Sequence, residues 1–159
     1  MTRTVRKRRS VLFMPASNPR AMAKARDLPC DAVILDLEDA VAPEAKGAAR
    51  AAALAAAAEG FGRRDCAVRI NALDTPWGYE DAAALAGPGA VSARGVAAVV
   101  VPKVASAADL AAVRTLLGMD GPPIWAMIET CGAILRLAEI VGAGARLELL
   151  IAGTNDLAK

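Results

Sequence analysis

Short apolar runs alternate with Ala-rich segments along nearly the whole chain. Residues 11–14 (VLFM), 32–38 (AVILDLE), 67–71 (AVRIN), 96–103 (VAAVVVPK), 124–129 (IWAMIE) and 147–152 (LELLIA) read as six strands. Between them, Ser17 or Asn18 supplies a helix N-cap with Pro19 at the first helical position, for a helix reaching Ala25. Pro43 opens an Ala-rich helix over 44–59 that Gly60 closes. The Gly- and Pro-rich stretch 74–89 reads as a loop with one short helix over 81–85. Ser106 with Asp109 forms a capping-box pattern for a helix to Leu117, and a further helix covers 133–141. Near-continuous apolar strands separated by helices indicate an α/β protein with a parallel sheet covered on both faces.

Two architectures fit this rhythm, a doubly wound open sheet and a (β/α)₈ barrel, and the polar positions separate them. Alternation puts Ile34, Asp36 and Glu38 on one face of the second strand. By the same rule Arg69 pairs with Asn71 on the third, Lys103 follows Val99 and Val101 on the fourth, and Glu129 follows Trp125 and Met127 on the fifth. Gly153-Thr154-Asn155-Asp156 follows the sixth. Charged or polar groups therefore close five successive strands at their carboxyl ends, where a TIM barrel builds its active site. No Gly-x-Gly-x-x-Gly follows the first strand, as an open dinucleotide-binding sheet would require. At 159 residues the chain is shorter than the roughly 250 of a complete barrel, so the expectation is a TIM (β/α)₈-type barrel truncated after about the sixth strand. Residues 1–159 then form one partial catalytic domain with a basic lead-in over 1–9, without strands seven and eight or a C-terminal segment.

Composition narrows the chemistry. There is no histidine, which removes His-based bases, nucleophile systems and zinc sites from this stretch. Cys30, Cys66 and Cys131 are scattered and odd in number, the pattern of spectator thiols in a reducing, cytoplasmic compartment. No apolar run is long enough to span a membrane. Arg3, Arg6, Lys7, Arg8 and Arg9 crowd the lead-in; setting them aside leaves 14 of the 19 basic residues against 17 acidic ones. The formal charge of +2 thus belongs to the lead-in, read as a solvated approach to the first strand in preference to a contact with nucleic acid or an anionic surface.

At the strand ends, Glu129 and Asp156 offer hard oxygen ligands for a Mg²⁺ that keeps waters and binds substrate oxygens. Arg69 offers a planar fork for a carboxylate. Asp36, Glu38 and Asp39 form an acidic cluster that needs counter-charge. Plainer readings exist for each: an exposed cap for Asp39, a solvated strand end for Lys103, an N-cap region for Glu129.

The run Arg9-Ser10-Val11-Leu12 with Pro15 and Lys24-Ala25, the DLEDAV of 36–41 with Lys46 and Arg50, the VRIN of 68–71, Pro102-Lys103, the IET of 128–130 and the segment 153–157 occur in one order. Together they resemble the citrate lyase beta-subunit-like family of CoA-ester lyases, within the HpcH/HpaI aldolase group. The resemblance implies a Mg²⁺-dependent TIM barrel that makes or breaks a C–C bond between an acyl-CoA and a 2-oxo acid, of the citryl-, malyl- or citramalyl-CoA type. It implies Glu129 and Asp156 as metal ligands, Arg69 as the residue that holds the 2-oxo acid, and Asp36, Glu38 and Asp39 as its catalytic neighbours. Pro15, Arg20 and Lys24 fall in the segment that approaches CoA in relatives. A homo-oligomer is the expected assembly at full length, and this stretch alone is expected to be inactive. The pyruvate-aldolase branch uses a histidine near the acidic strand end, which this sequence lacks. The alternatives are a Mg²⁺-dependent aldolase for free 2-oxo acids and a non-catalytic barrel piece or scaffold.

Overall fold

The computed structural model describes residues 6–86 and 94–158. Arg3 of the lead-in and residues 87–89 of the expected loop lie outside the described residues. Six strands follow one another in a single parallel sheet: β1 (Val11–Pro15), β2 (Ala32–Asp36), β3 (Asp65–Arg69), β4 (Ala98–Val101), β5 (Ile124–Ile128) and β6 (Leu147–Ala152). Their spatial order is their chain order, as in a barrel and unlike a doubly wound sheet, whose order reverses at a switch point. Among the described residues the sheet is open, with β1 and β6 at its edges.

Helices cross over between strands. In α1 (Pro19–Ala25), Asn18 is the N-cap: its side chain accepts the Ala21 N–H at 3.0 Å. A 3₁₀ turn (Pro43–Ala45) leads into α2 (Lys46–Glu59), which ends at Gly60 with φ +90°, a conformation that favours glycine. Then come α3 (Gly78–Ala84) and α4 (Ala107–Leu117), the latter with its Ser106–Asp109 capping box formed. The single helix expected over 133–141 is two, α5 (Cys131–Leu135) and α6 (Leu137–Gly142), broken at Arg136. A four-residue α7 (Thr154–Leu157) follows β6.

Apolar residues form two layers. Val33, Leu35, Val68, Val99, Val101, Ala126 and Ile128 pack outward against the helices. Ala32, Ile34, Ala67, Ala98, Val100, Trp125 and Met127 pack inward, with Leu149 and Ile151 against them. Every residue of β2, β3, β4 and β5 is buried, because both faces of these strands are covered.

The lead-in differs from its expected solvated state. The Arg8 guanidinium lies 4.8 Å from the Trp125 ring and pairs with Asp65 at 2.7 Å and Glu148 at 3.5 Å. Trp125 Nε1–H donates to the other Glu148 oxygen at 3.2 Å. Arg6 also pairs with Asp65, and Asp31 accepts the Arg9 backbone N–H at 2.8 Å. The basic residues thus neutralise Asp31, Asp65 and Glu148 beside the amino ends of the strands, forming a floor opposite the mouth. Desolvation drives this: the buried Asp65 carboxylate needs cations, and the nearest are in the lead-in.

Candidate active site at the carboxyl ends of the strands

β2 ends two residues earlier than alternation suggests. The Asp36 carboxylate accepts the backbone N–H groups of Glu38 at 2.8 Å and Ala40 at 3.2 Å, bending the chain into a turn. Below it, the Lys46 ammonium donates to the carbonyls of Leu37 and Glu38, each at 2.8 Å, and stands 5.1 Å from the Trp77 ring. Burial lowers the Lys46 pKa from its ordinary value, against nearby carboxylates that raise it. The acidic turn is therefore held from both sides.

Arg69, the last residue of β3, points into this turn. Its Nε and Nη2 bind Asp36 Oδ1 and Oδ2 at 2.7 and 2.6 Å, a two-pronged pair, and Nη1 reaches Glu38 Oε2 at 2.9 Å. Asp39 lies farther from Nη1, at 3.6 Å, with its side chain 62% exposed at the rim. Phe13 covers the guanidinium, 5.3 Å from its ring centre. All three guanidinium nitrogens thus already meet protein carboxylates, while Arg69 still lines the cavity at the mouth.

Two expectations need correction here. Asn71 does not share the site with Arg69: β3 stops at Arg69, and the Asn71 amide turns away to donate to Asp81 at 2.7 Å and the Leu37 carbonyl at 3.0 Å. On β4 the inward residues are Ala98 and Val100, whereas Val99 and Val101 face the helices. Lys103 nevertheless reaches the mouth, because its backbone is left-handed (φ +51°) and redirects the side chain. Its ammonium pairs with Glu38 Oε1 at 2.8 Å and its backbone N–H donates to Glu129 Oε1 at 2.5 Å. Alternation alone carries no signal for this residue. Burial raises the Glu38 pKa, opposed by Lys103 and Arg69.

Glu129 follows β5 and is 4% exposed. Gly153 sits against it: a Cβ at that position would fall 2.4 Å from Glu129 Cβ and 2.7 Å from its Oε2. Only glycine lets the end of β6 approach this closely, and α7 then carries Asp156 to the same cavity. That cavity, about 620 Å³, is lined by Asp36, Asp39, Arg69, Met127, Glu129 and Asp156, among others. Glu38 stands behind Arg69. Pro15 ends β1 beside Asp36, while Arg20 and Lys24 are exposed on α1 and do not line the cavity. Among the described residues no three His, Cys, Asp or Glu side chains are grouped to hold a metal by themselves. Glu129 and Asp156 do fit an ion that takes two carboxylates and completes its shell with water and substrate oxygens, as Mg²⁺ does.

A parallel sheet in chain order with an acidic mouth bridged by an arginine and a lysine defines an α/β fold of the TIM-barrel class. Residues 9–159 match the HpcH/HpaI aldolase/citrate lyase family, and the chain belongs to it. It is 45% identical over 152 residues to a (3S)-malyl-CoA thioesterase of Cereibacter sphaeroides, covering 95% of this chain and 50% of that protein. It is 35% identical over 162 residues to an L-malyl-CoA/beta-methylmalyl-CoA lyase of the same species, covering 96% and 50%. The citrate lyase beta subunit of M. tuberculosis complexed with oxaloacetate and magnesium superposes with a TM-score of 0.72 at 32% identity, over 92% of this chain and 58% of that one. The chain spans about half the length of the curated relatives it matches. Among the described residues no helix is long and apolar enough to cross a membrane.

Proposed function

We propose that this chain is the N-terminal part of the barrel of a Mg²⁺-dependent CoA-ester lyase that makes or breaks the bond between an acyl-CoA and a 2-oxo acid. The observation that carries the reading is the cavity in which Glu129, seated on Gly153, and Asp156 face Arg69. Glu129 and Asp156 would hold the ion, which when bound polarises the hydroxyl and carboxylate oxygens of the substrate. Arg69 takes the substrate carboxylate from the cavity wall, and Asp36 fixes the plane of that guanidinium. In the cleavage direction the hydroxyl gives its proton to a base, its carbon becomes the carbonyl of the 2-oxo acid, and the electron pair of the broken bond passes to the thioester enolate, which takes up a proton to become the acyl-CoA. Asp39 stands at the rim, and Pro15, Arg20 and Lys24 would contact CoA in this reading. The magnesium and oxaloacetate of the M. tuberculosis structure and the substrates named for the malyl-CoA lyase support this assignment. The full protein is a cytoplasmic homo-oligomer in this reading.

The 45% identity to a malyl-CoA thioesterase supports a second reading, in which the same site directs water to the thioester. One assay separates the two. The full-length protein with Mg²⁺ and malyl-CoA should yield acetyl-CoA and glyoxylate; free CoA and malate would mark the thioesterase. Glu129→Ala should abolish either Mg²⁺-dependent reaction with the fold intact, and a variant with unchanged metal dependence would overturn the ligand assignment.

A further inference from the structure

Lys46 does not line the cavity at the mouth, yet it is a buried cation directly beneath the acidic turn. A buried ammonium must be compensated. Here both of its hydrogen bonds, each 2.8 Å, go to the backbone carbonyls of Leu37 and Glu38, with the Trp77 ring alongside at 5.1 Å. The charge is spent on holding main chain.

The main chain it holds leads to Arg69. The peptide unit between Leu37 and Glu38 is gripped at both ends. Its carbonyl accepts from Lys46 and, at 3.0 Å, from the Asn71 amide. Its N–H donates to Asp36 Oδ1 at 2.8 Å, and the same oxygen takes Arg69 Nε at 2.7 Å. The Leu37 N–H donates to the Arg69 carbonyl at 3.0 Å, which ties the start of the turn to the strand end that carries the guanidinium. With the ammonium gone, the Glu38 carbonyl loses this partner and the Leu37 carbonyl keeps Asn71 alone. The peptide can then tilt, and its N–H draws away from the carboxylate that sets the plane of Arg69.

We infer that Lys46 is a positioning residue for recognition of the 2-oxo acid: by clamping the Leu37–Glu38 peptide it fixes Asp36, and through Asp36 the plane of the Arg69 guanidinium. The inference rests on the role given to Arg69 under Proposed function. Lys46 itself touches no substrate, so its loss is felt at the Arg69 carboxylate contact and not on the acyl-CoA side.

The test is a double-mutant cycle in the full-length protein with Mg²⁺, read as the KM for glyoxylate and for acetyl-CoA in the condensation direction, with circular dichroism confirming the fold. Lys46→Met should raise the KM for glyoxylate about tenfold and leave that for acetyl-CoA within about twofold. In an Arg69→Lys background, where the fork is already lost, Lys46→Met should add no more than about twofold. Lys46→Gln keeps one donor for these carbonyls and should fall between wild type and Lys46→Met; it replaces the methionine variant in the cycle if that variant does not fold. The inference is overturned if Lys46→Met changes both KM values alike or neither, or if it costs as much in the Arg69→Lys background as in wild type. If Arg69→Lys by itself raises both KM values alike, or the wild-type protein does not condense the two substrates, the role of Arg69 fails and this inference falls with it.

Discussion

Replacing Arg69 by lysine keeps the charge and removes the fork. In the structure the guanidinium makes two parallel contacts to Asp36, at 2.7 and 2.6 Å, and a third to Glu38 at 2.9 Å, all buried. A lysine ammonium can reach one carboxylate well, so at least one charge-assisted hydrogen bond is lost, about 1.5–3 kcal/mol. The Phe13 contact weakens as well, by about 0.5–1 kcal/mol. We expect Arg69→Lys to lower the stability of the full-length protein by about 2–4 kcal/mol. Arg69→Met, which leaves Asp36 and Glu38 without that cation, should reach about 3–5 kcal/mol. Urea unfolding followed by circular dichroism, with unchanged denaturant slope, measures both. In turnover, Arg69→Lys should raise the KM for the 2-oxo acid far more than that for the acyl-CoA. Two results would refute the reasoning: a lysine variant within about 0.5 kcal/mol of wild type, or equal losses for both substrates.

Arg8→Ala removes a cation from Asp65 and the cover from Trp125, and should destabilise by about 2–3 kcal/mol in the same unfolding assay, with Arg6 retaining part of the pairing. The Arg9 main chain and side chain lower the Asp31 pKa from 3.8 to about 2, so its ionised form stabilises the fold above pH 4 and that contribution disappears as pH falls through 2. Asp31→Asn should therefore be less stable than wild type at pH 5, the gap closing between pH 4 and 2 in acid titrations followed by circular dichroism. Burial pushes the Cys66 thiol up to about 12, whereas Cys131 is exposed, so a disulfide reagent at pH 8 should label Cys131 rapidly and Cys66 only on unfolding.

The strand–helix rhythm was legible because the inner strands are buried on both faces and written almost wholly in apolar residues. Asn18-Pro19 and Ser106–Asp109 were legible because capping is local chemistry: acceptor and orphan N–H lie within three residues. The mouth was legible as a collection of polar strand ends, and Asp36, Arg69 and Glu129 meet there. Its wiring was not. The end of β2 depends on Asp36 accepting two N–H groups ahead of it, which competes with the sheet ladder and leaves no trace in alternation. Lys103 reaches the mouth through a backbone reversal after β4, so counting residues by twos puts it on the wrong face. The floor contacts of Arg8 join residues far apart in the chain, and its sequence neighbourhood, a run of basic residues, reads as an exposed tail.

The floor also sets an order of events during synthesis. Each parallel strand pairs with its predecessor in the chain, so strand pairing can follow the order of synthesis from β1 toward β6. Arg8 cannot be finished in that sequence. Asp65 becomes available with β3, but Trp125 arrives with β5 and Glu148 with β6, 140 positions after Arg8 itself. The first segment made is therefore among the last to be secured, and its final contacts require closing nearly the whole length of the chain. A nascent chain halted before β5 holds Arg8 by Asp65 alone, with neither the Trp125 ring nor Glu148 to receive it. The lead-in is thus complete only when the sixth strand is in place.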